Sequence, residues 1–244
     1  MSGTLRVGTS GFAYPAWAPL FYPAGLRSED LLRAYAERLS ACELNNTFYR
    51  QPTEKAILGW LARTPESFRF AVKAQRGGTM RALLGDDQAE SVGWLTRPLD
   101  GFGERLGSVL YRVPGDIART DERHDRLARL LDLWPERFPL TVEFQDPTWQ
   151  VDETFALLKQ HDAALCATDL DELPDPPDIR VTGPFLYLRL RRTEYSDEDL
   201  DGWAARIAPF LDAGLDAYAF FRHDETGISP NRAIALAERV AAQR

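Results

Sequence analysis

Histidine is nearly missing from this chain: His124, His161 and His223 are the three among 244 residues. A centre built on several histidine-held metals cannot be assembled from them. Cysteine is scarcer still. Cys42 and Cys166 each sit in a strand-like run, their spacing matches no zinc pattern, and the plain reading is two buried free thiols. No run of about 18 apolar residues occurs, so a membrane-spanning helix is not expected. The first ten residues lack the basic-then-apolar order of a secretory signal, and a cytoplasmic location is the expectation. Positive charge is also short, with 29 Lys and Arg against 37 Asp and Glu, a net of −8. That balance disfavours a broad hold on nucleic acid or an anionic membrane but leaves room for a local basic cleft. The G-x-G-x-x-G fingerprint of dinucleotide folds is absent. Gly8-Thr9-Ser10-Gly11 is the nearest approach, and a tight turn describes it better than a phosphate cradle.

What is present is alternation. Hydrophobic residues make up 44% of the chain, enough for a full core. Eight short β-like runs stand out: Leu5–Thr9, Cys42–Asn45, Phe68–Lys73, Ser108–Val113, Leu140–Gln145, Leu165–Thr168, Phe185–Leu190 and Ala217–Phe221. Amphipathic segments lie between them. Leu31, Leu32, Tyr35 and Leu39 share a helical face behind Ser28 as N-cap. Ile57, Leu58 and Leu61 follow Thr53, and Leu127, Leu130, Leu131 and Trp134 form another face. Ser196 to Asp199 reads as a capping box, and Ser229-Pro230 as a cap followed by a first-turn proline. Residues 77–103 read as an elaborated loop plus one helix, and residues 171–184, rich in Pro and Asp, as a long loop. Eight β/α repeats predict an α/β fold, a TIM-like (β/α)8 barrel in which residues 1–244 form a single domain. A doubly wound open sheet is the alternative.

In such a barrel, chemistry sits at the C-terminal ends of the strands. Glu43 and Asn45, two apart, share a strand face, and two polar groups on an inner face cost free energy unless something satisfies them. The same parity turns Glu143, Gln145, Arg189 and Arg191 inward. Lys73, Arg112 and Asp169 complete the set at the ends of their strands. A mouth carrying Lys73, Arg112, Arg189 and Arg191 is locally positive and suits a phosphate or carboxylate, because guanidinium forks bind oxyanions bidentately. Glu43, Glu143 and Lys73 are the candidates for acid–base catalysis. Asn45, Tyr49, Arg112, Trp149, Asp169, Arg189 and Arg191 are the candidates for ligand binding. Among the rim aromatics (Phe12, Tyr14, Trp17, Phe48, Tyr49, Trp149, Tyr195), Trp149 is the best stacking candidate, directly after strand five. The competing reading is a structural network in which buried Glu and Arg satisfy only one another. No metal, cofactor or protein partner is called for.

Several segments together resemble the YecE-like family, also called domain of unknown function 72. They are Gly8-Thr9-Ser10-Gly11 with Trp17 and Phe21-Tyr22-Pro23; Glu43-x-Asn45-x-Thr47-Phe48-Tyr49; then Pro52, Trp60, Thr64-Pro65, Phe68-x-Phe70, Lys73, Leu106-Gly107, Glu143-Phe144, Trp149 and Arg189. The resemblance spans nearly the whole chain. It implies a TIM-like barrel and supplies no established reaction. Three histidines of the family pattern are replaced, at Thr79-Met80, Gln145-Asp146 and Arg189-Leu190-Arg191. The expectation is a protein that binds a small anionic ligand at the barrel mouth, as a metal-independent hydrolase, lyase or isomerase acting on a phosphorylated or sugar-like substrate. A nucleic-acid-binding module with stacking aromatics and a glycosidase using Glu43 and Glu143 are the alternatives.

Overall fold

Gly8 decides how this sheet closes. A Cβ at that position would lie 2.0 Å from the Ala41 carbonyl oxygen, so only glycine lets the first strand come this close to the second. The computed structural model describes residues 2–244. Its strands are β1 (Leu5–Thr9), β2 (Ala41–Leu44), β3 (Arg69–Lys73), β4 (Leu106–Val113), β5 (Leu140–Phe144), β6 (Ala164–Asp169), β7 (Phe185–Leu190) and β8 (Asp216–Phe221). They form one parallel sheet in the order β1-β8-β7-β6-β5-β4-β3-β2. The seam between β1 and β2 has a single bridge, Ser10 to Glu43, made by the Gly11 N–H donating to the Glu43 carbonyl at 2.8 Å, and lower down the Ser40 N–H donates to the Val7 carbonyl at 3.3 Å. The eight-stranded α/β barrel expected from the sequence is what forms. The predicted bounds of β1 and β7 match, and the others shift by one or two residues.

The helices are α1 (Leu31–Ala36), α2 (Glu54–Leu61), α3 (Arg76–Leu84), α4 (Gln88–Thr96), α5 (Asp121–Leu133), α6 (Asp152–Gln160), α7 (Asp197–Asp212) and α8 (Ile228–Ala242). Their distribution departs from a regular repeat. The β3–β4 connection carries both α3 and α4, where one helix was expected. The β6–β7 connection, Leu170 to Pro184, carries none. Local caps explain several starts. Thr53 accepts from the Ala56 N–H, Thr120 accepts from the Arg123 N–H, and Ser196 and Asp199 form the predicted capping box. Two cap expectations are overturned. Ser28 lies in a 3-10 turn before α1 and caps nothing. At α8 the cap is Asp224, whose carboxylate accepts from the backbone N–H groups of Gly227 (2.6 Å) and Ser229 (2.6 Å). Leu58, placed on the apolar face of α2, instead points outward at 56% exposure, while Ile57 is buried.

Two cores result. The larger lies between sheet and helices, where Leu127, Leu130 and Leu131 of α5 pack against the outer face. Each such leucine contributes roughly 1.5–3 kcal/mol through burial. The smaller fills the barrel. Small residues of β2, β3 and β6 (Ala41, Ala71 and Ala164) share it with large ones of β7 and β8 (Phe185, Tyr187, Tyr218 and Phe220). This apolar plug occupies the middle and lower barrel, so charged side chains collect in the uppermost layer, at the C-terminal strand ends. Among the described residues, no helix is long and apolar enough to cross a membrane.

Candidate functional site

The inner faces of several strands end in a polar group, because the alternation that buries Ala41, Ala71 and Tyr187 in the plug sends Glu43, Lys73 and Arg189 to the layer above it. Arg189, 2% exposed, is the hub. Its Nε and Nη2 donate to the two oxygens of Glu43 at 2.9 and 2.8 Å, and its Nη1 donates to Glu143 Oε1 at 2.7 Å. Ser10 Oγ adds a bond to Glu43 Oε1 (2.7 Å) and Tyr187 a bond to Oε2 (2.9 Å). Glu43 therefore accepts four bonds while fully buried. Burial alone pushes its pKa up. The charge and hydrogen bonds of Arg189, helped by Lys73 and Ser10, outweigh that and hold it at about 2. A carboxylate so held does not exchange protons near neutral pH; Glu43 positions Arg189.

Glu143 is different. Its Oε1 takes Arg189 and the Thr168 hydroxyl (2.9 Å), whereas its Oε2 lies 3.1 Å from Arg112 Nε without a well-aligned hydrogen bond. Burial raises its pKa, and Arg189 and Arg112 bring it below the usual range. This half-satisfied carboxylate lines a cavity of about 550 Å3 together with Arg112, Arg189 and Arg191. Across the mouth, Lys73 is 8% exposed, with its ammonium 4.2 Å from the centre of the Phe48 ring. Burial, then the nearby Arg189, lowers its pKa to about 8 against the opposing pull of Glu43. Among the described residues, neither Lys73 nor Arg191 has a carboxylate within 4 Å. Four cations thus face two carboxylates in this layer, and the site favours a negative guest.

The structure brings together Glu43, Glu143, Lys73, Arg112, Arg189 and Arg191, as the strand parity predicts. Asn45 lies beside the Tyr14 hydroxyl at the rim. Three expected ligand-binding residues stand elsewhere. Asp169 has the other parity in β6 and faces the outer layer, where it accepts from Arg192 (2.8 Å), Tyr195 (2.9 Å) and Trp203 (3.2 Å). Trp149 is wholly buried, stacked on Phe144, with its indole N–H donating to the Ile117 carbonyl at 2.7 Å. It cannot stack on a ligand. Tyr49 is 79% exposed, beyond the charged cluster. His223 stacks on Tyr14 (5.0 Å between centres), and burial followed by Arg191 and Arg222 lowers its pKa. Its neighbour Asp224 is committed to the α8 cap and does not serve it as a partner.

Tyr187 and Thr168, donors to the two glutamates, are functional-layer residues outside the set expected from the sequence. Tyr187 shares the parity of Arg189 in β7, so the alternation alone could have found it. The guanidinium wedged between Glu43 and Glu143 fills the space a scissile sugar bond would need, which removes support for the glycosidase alternative. Among the described residues, no cluster of three or more His, Cys, Asp or Glu side chains is arranged to hold a metal ion.

The family model described as "Protein of unknown function DUF72" matches residues 6–244. UPF0759 protein YunF of Bacillus subtilis (strain 168) is 27% identical over 143 residues, 52% of this chain and 47% of that protein. The chain thus matches about half the length of this relative. A DUF72 family protein from Thermotoga maritima superposes with a TM-score of 0.77 at 25% identity, covering 98% of each chain. Another, from Enterococcus faecalis V583, gives a TM-score of 0.80 at 16% identity, covering 98% of this chain and 96% of the other, a likeness of fold alone.

Proposed function

The chain belongs to the DUF72 family of unknown function, and from that premise we propose that its barrel mouth binds a small phosphate- or carboxylate-bearing ligand and acts on it by proton transfer. The observation that carries this is Glu143 Oε2, buried and short of a hydrogen bond, opening onto a cavity also lined by three arginines. A purely structural network saturates its carboxylates, as it does at Glu43. Arg112 and Arg191 neutralise the anion, Glu143 accepts a proton, and Lys73 donates or takes one. With a pKa of about 8, roughly a tenth of Lys73 is neutral at pH 7, which suits either direction of transfer. The reaction class fitting these groups is a hydrolase, lyase or isomerase step carried by the chain's own side chains.

Thermal stabilisation and calorimetry across inorganic phosphate, phosphosugars, nucleotides and small oxo acids test the reading. At least one anion should stabilise the protein, with affinity falling about tenfold or more in Arg191→Ala and weakening with salt. If no anion does so, or if Arg191→Ala and Lys73→Ala bind as well as the parent, the proposal is wrong. Exposed Tyr49, packed edge-on against Phe48, supports single-stranded nucleic acid as a second reading. Absence of binding to a labelled oligonucleotide at low salt removes it.

A further inference from the structure

The barrel wall has an opening. β5 and β6 pair through two positions only, Thr141 with Ala164 and Val142 with Leu165, whereas the ladders on either side are longer. Beyond Val142 the ladder stops, and on the inner face the Thr168 hydroxyl reaches across to Glu143 Oε1 at 2.9 Å. The cavity is lined by inward residues of these strands (Glu143, Thr168) and by outward ones (Phe144, Leu165), which an intact ladder would keep on opposite sides of the sheet. It therefore runs from the charged mouth through the wall into the layer outside. That outer space exists because the β6–β7 connection is the one interstrand connection without an α-helix. Loop residues Leu170, Leu173 and Pro177, with Phe155 of α6, wall it instead.

The two ends differ chemically. The inner end holds Arg112, Arg189, Arg191 and Glu143; the outer part presents Phe155, Leu165, Leu170, Leu173 and Pro177, together with Gln150, Asp175, Asp178 and Arg180, whose guanidinium lies over the Phe155 ring. Between them the strand edges are polar. The Gln145 N–H bonds the Val113 carbonyl of β4, so by alternation the backbone of Phe144 faces β6. The Arg191 N–H bonds the Asp169 carbonyl, so the backbone of Thr168 faces β5. Backbone groups at such an edge need a partner from outside the ladder.

Resting on the anion-binding reading of the mouth, we infer that the ligand is an amphiphilic anion: a phosphate or carboxylate head, a short hydrogen-bonding linker, and an apolar tail threaded between β5 and β6. The head sits against Arg112 and Arg191, an ester oxygen or amide meets the strand edges, and the tail lies beneath residues 170–177. A small hydrophilic phosphosugar would leave the outer end empty.

Calorimetry with two matched pairs of probes tests this: methyl against hexyl phosphate, and N-acetylglycine against N-hexanoylglycine. Each pair shares head and linker and differs in tail. The longer member should bind roughly tenfold tighter or more. Leu173→Asp, on the exposed loop, should abolish that gain while leaving the short probe's affinity unchanged. Leu170→Asp provides a second variant, and both are checked for a parent-like melting transition. Equal affinities within each pair overturn the amphiphile while leaving the anion site standing. A tail gain that survives both variants overturns the route through the wall. Binding of no probe at all sinks both the tail and the site it rests on.

Discussion

Two carboxylates share one guanidinium in this barrel, and the two sectors around them behave differently. On the β2–β7 side, Glu43 takes four donors and has no capacity left. On the β5–β6 side, Glu143 has one oxygen satisfied and the other facing a cavity beside Arg112. Identical residue types in one layer are thus a strut in one sector and an open valence in the next. What separates them is the neighbouring ladder. β2 is held against β1 at a glycine-thinned seam, which brings Ser10 onto Glu43, while the β5–β6 ladder stops at Val142 and leaves Glu143 without a second cover.

The sharpest way to break this comparison is to remove what both sectors share. Arg189→Ala leaves two buried carboxylates without their main counter-ion and should cost about 5 kcal/mol, measured by denaturant unfolding. A loss under about 1 kcal/mol would mean the network is not the keystone described. Next, Glu43→Gln should cost about 3 kcal/mol and Glu143→Gln about 1 kcal/mol, because the first leaves more donors without an acceptor. Equal losses would erase the distinction between strut and open valence. The acid limb carries the same information. Glu43 has a folded pKa of about 2 against an ordinary 4.5, so its contribution is complete above about pH 4.5 and drains away as pH falls towards 2. That difference is worth on the order of 3 kcal/mol, and Glu43→Gln should flatten stability across this window.

The smallest expected effect has the opposite sign. Lys73 is charged in a buried site among arginines, and its pKa is depressed to about 8 from 10.5. Its charged form is therefore disfavoured in the folded state, and stability should rise between about pH 8 and 10.5, where only the unfolded chain keeps the proton. Lys73→Met should stabilise the protein by about 1 kcal/mol at pH 7 and remove that rise, at the expense of ligand binding. A destabilised Lys73→Met would show Lys73 to be a structural member of the network instead.

Much of this site is legible in strand parity. Glu43, Glu143 and Arg189 are inward because the residues on either side of them are Leu, Val, Phe or Cys, and the helical layer takes those; Arg191 keeps the parity of Arg189. Parity misleads where a strand's end is misjudged by one position: Asp169 continues β6 and so turns outward to Arg192 and Trp203. Trp149 misleads for another reason. Its position after β5 is correct, but a short 3-10 turn folds it back onto Phe144. Asp224 stands beside His223 in sequence, yet the helix that follows claims its carboxylate through backbone N–H groups.

The order of apolar and polar residues along the chain determined, without help, that eight parallel strands would alternate with helices and gather charged groups at one end, since each strand and helix must bury one face. Tertiary structure alone decided which of those charges are spent on each other and which remain free. That depends on ladder length between β5 and β6, on the absent helix after β6 and on the reach of a single guanidinium, all distances between segments far apart in sequence.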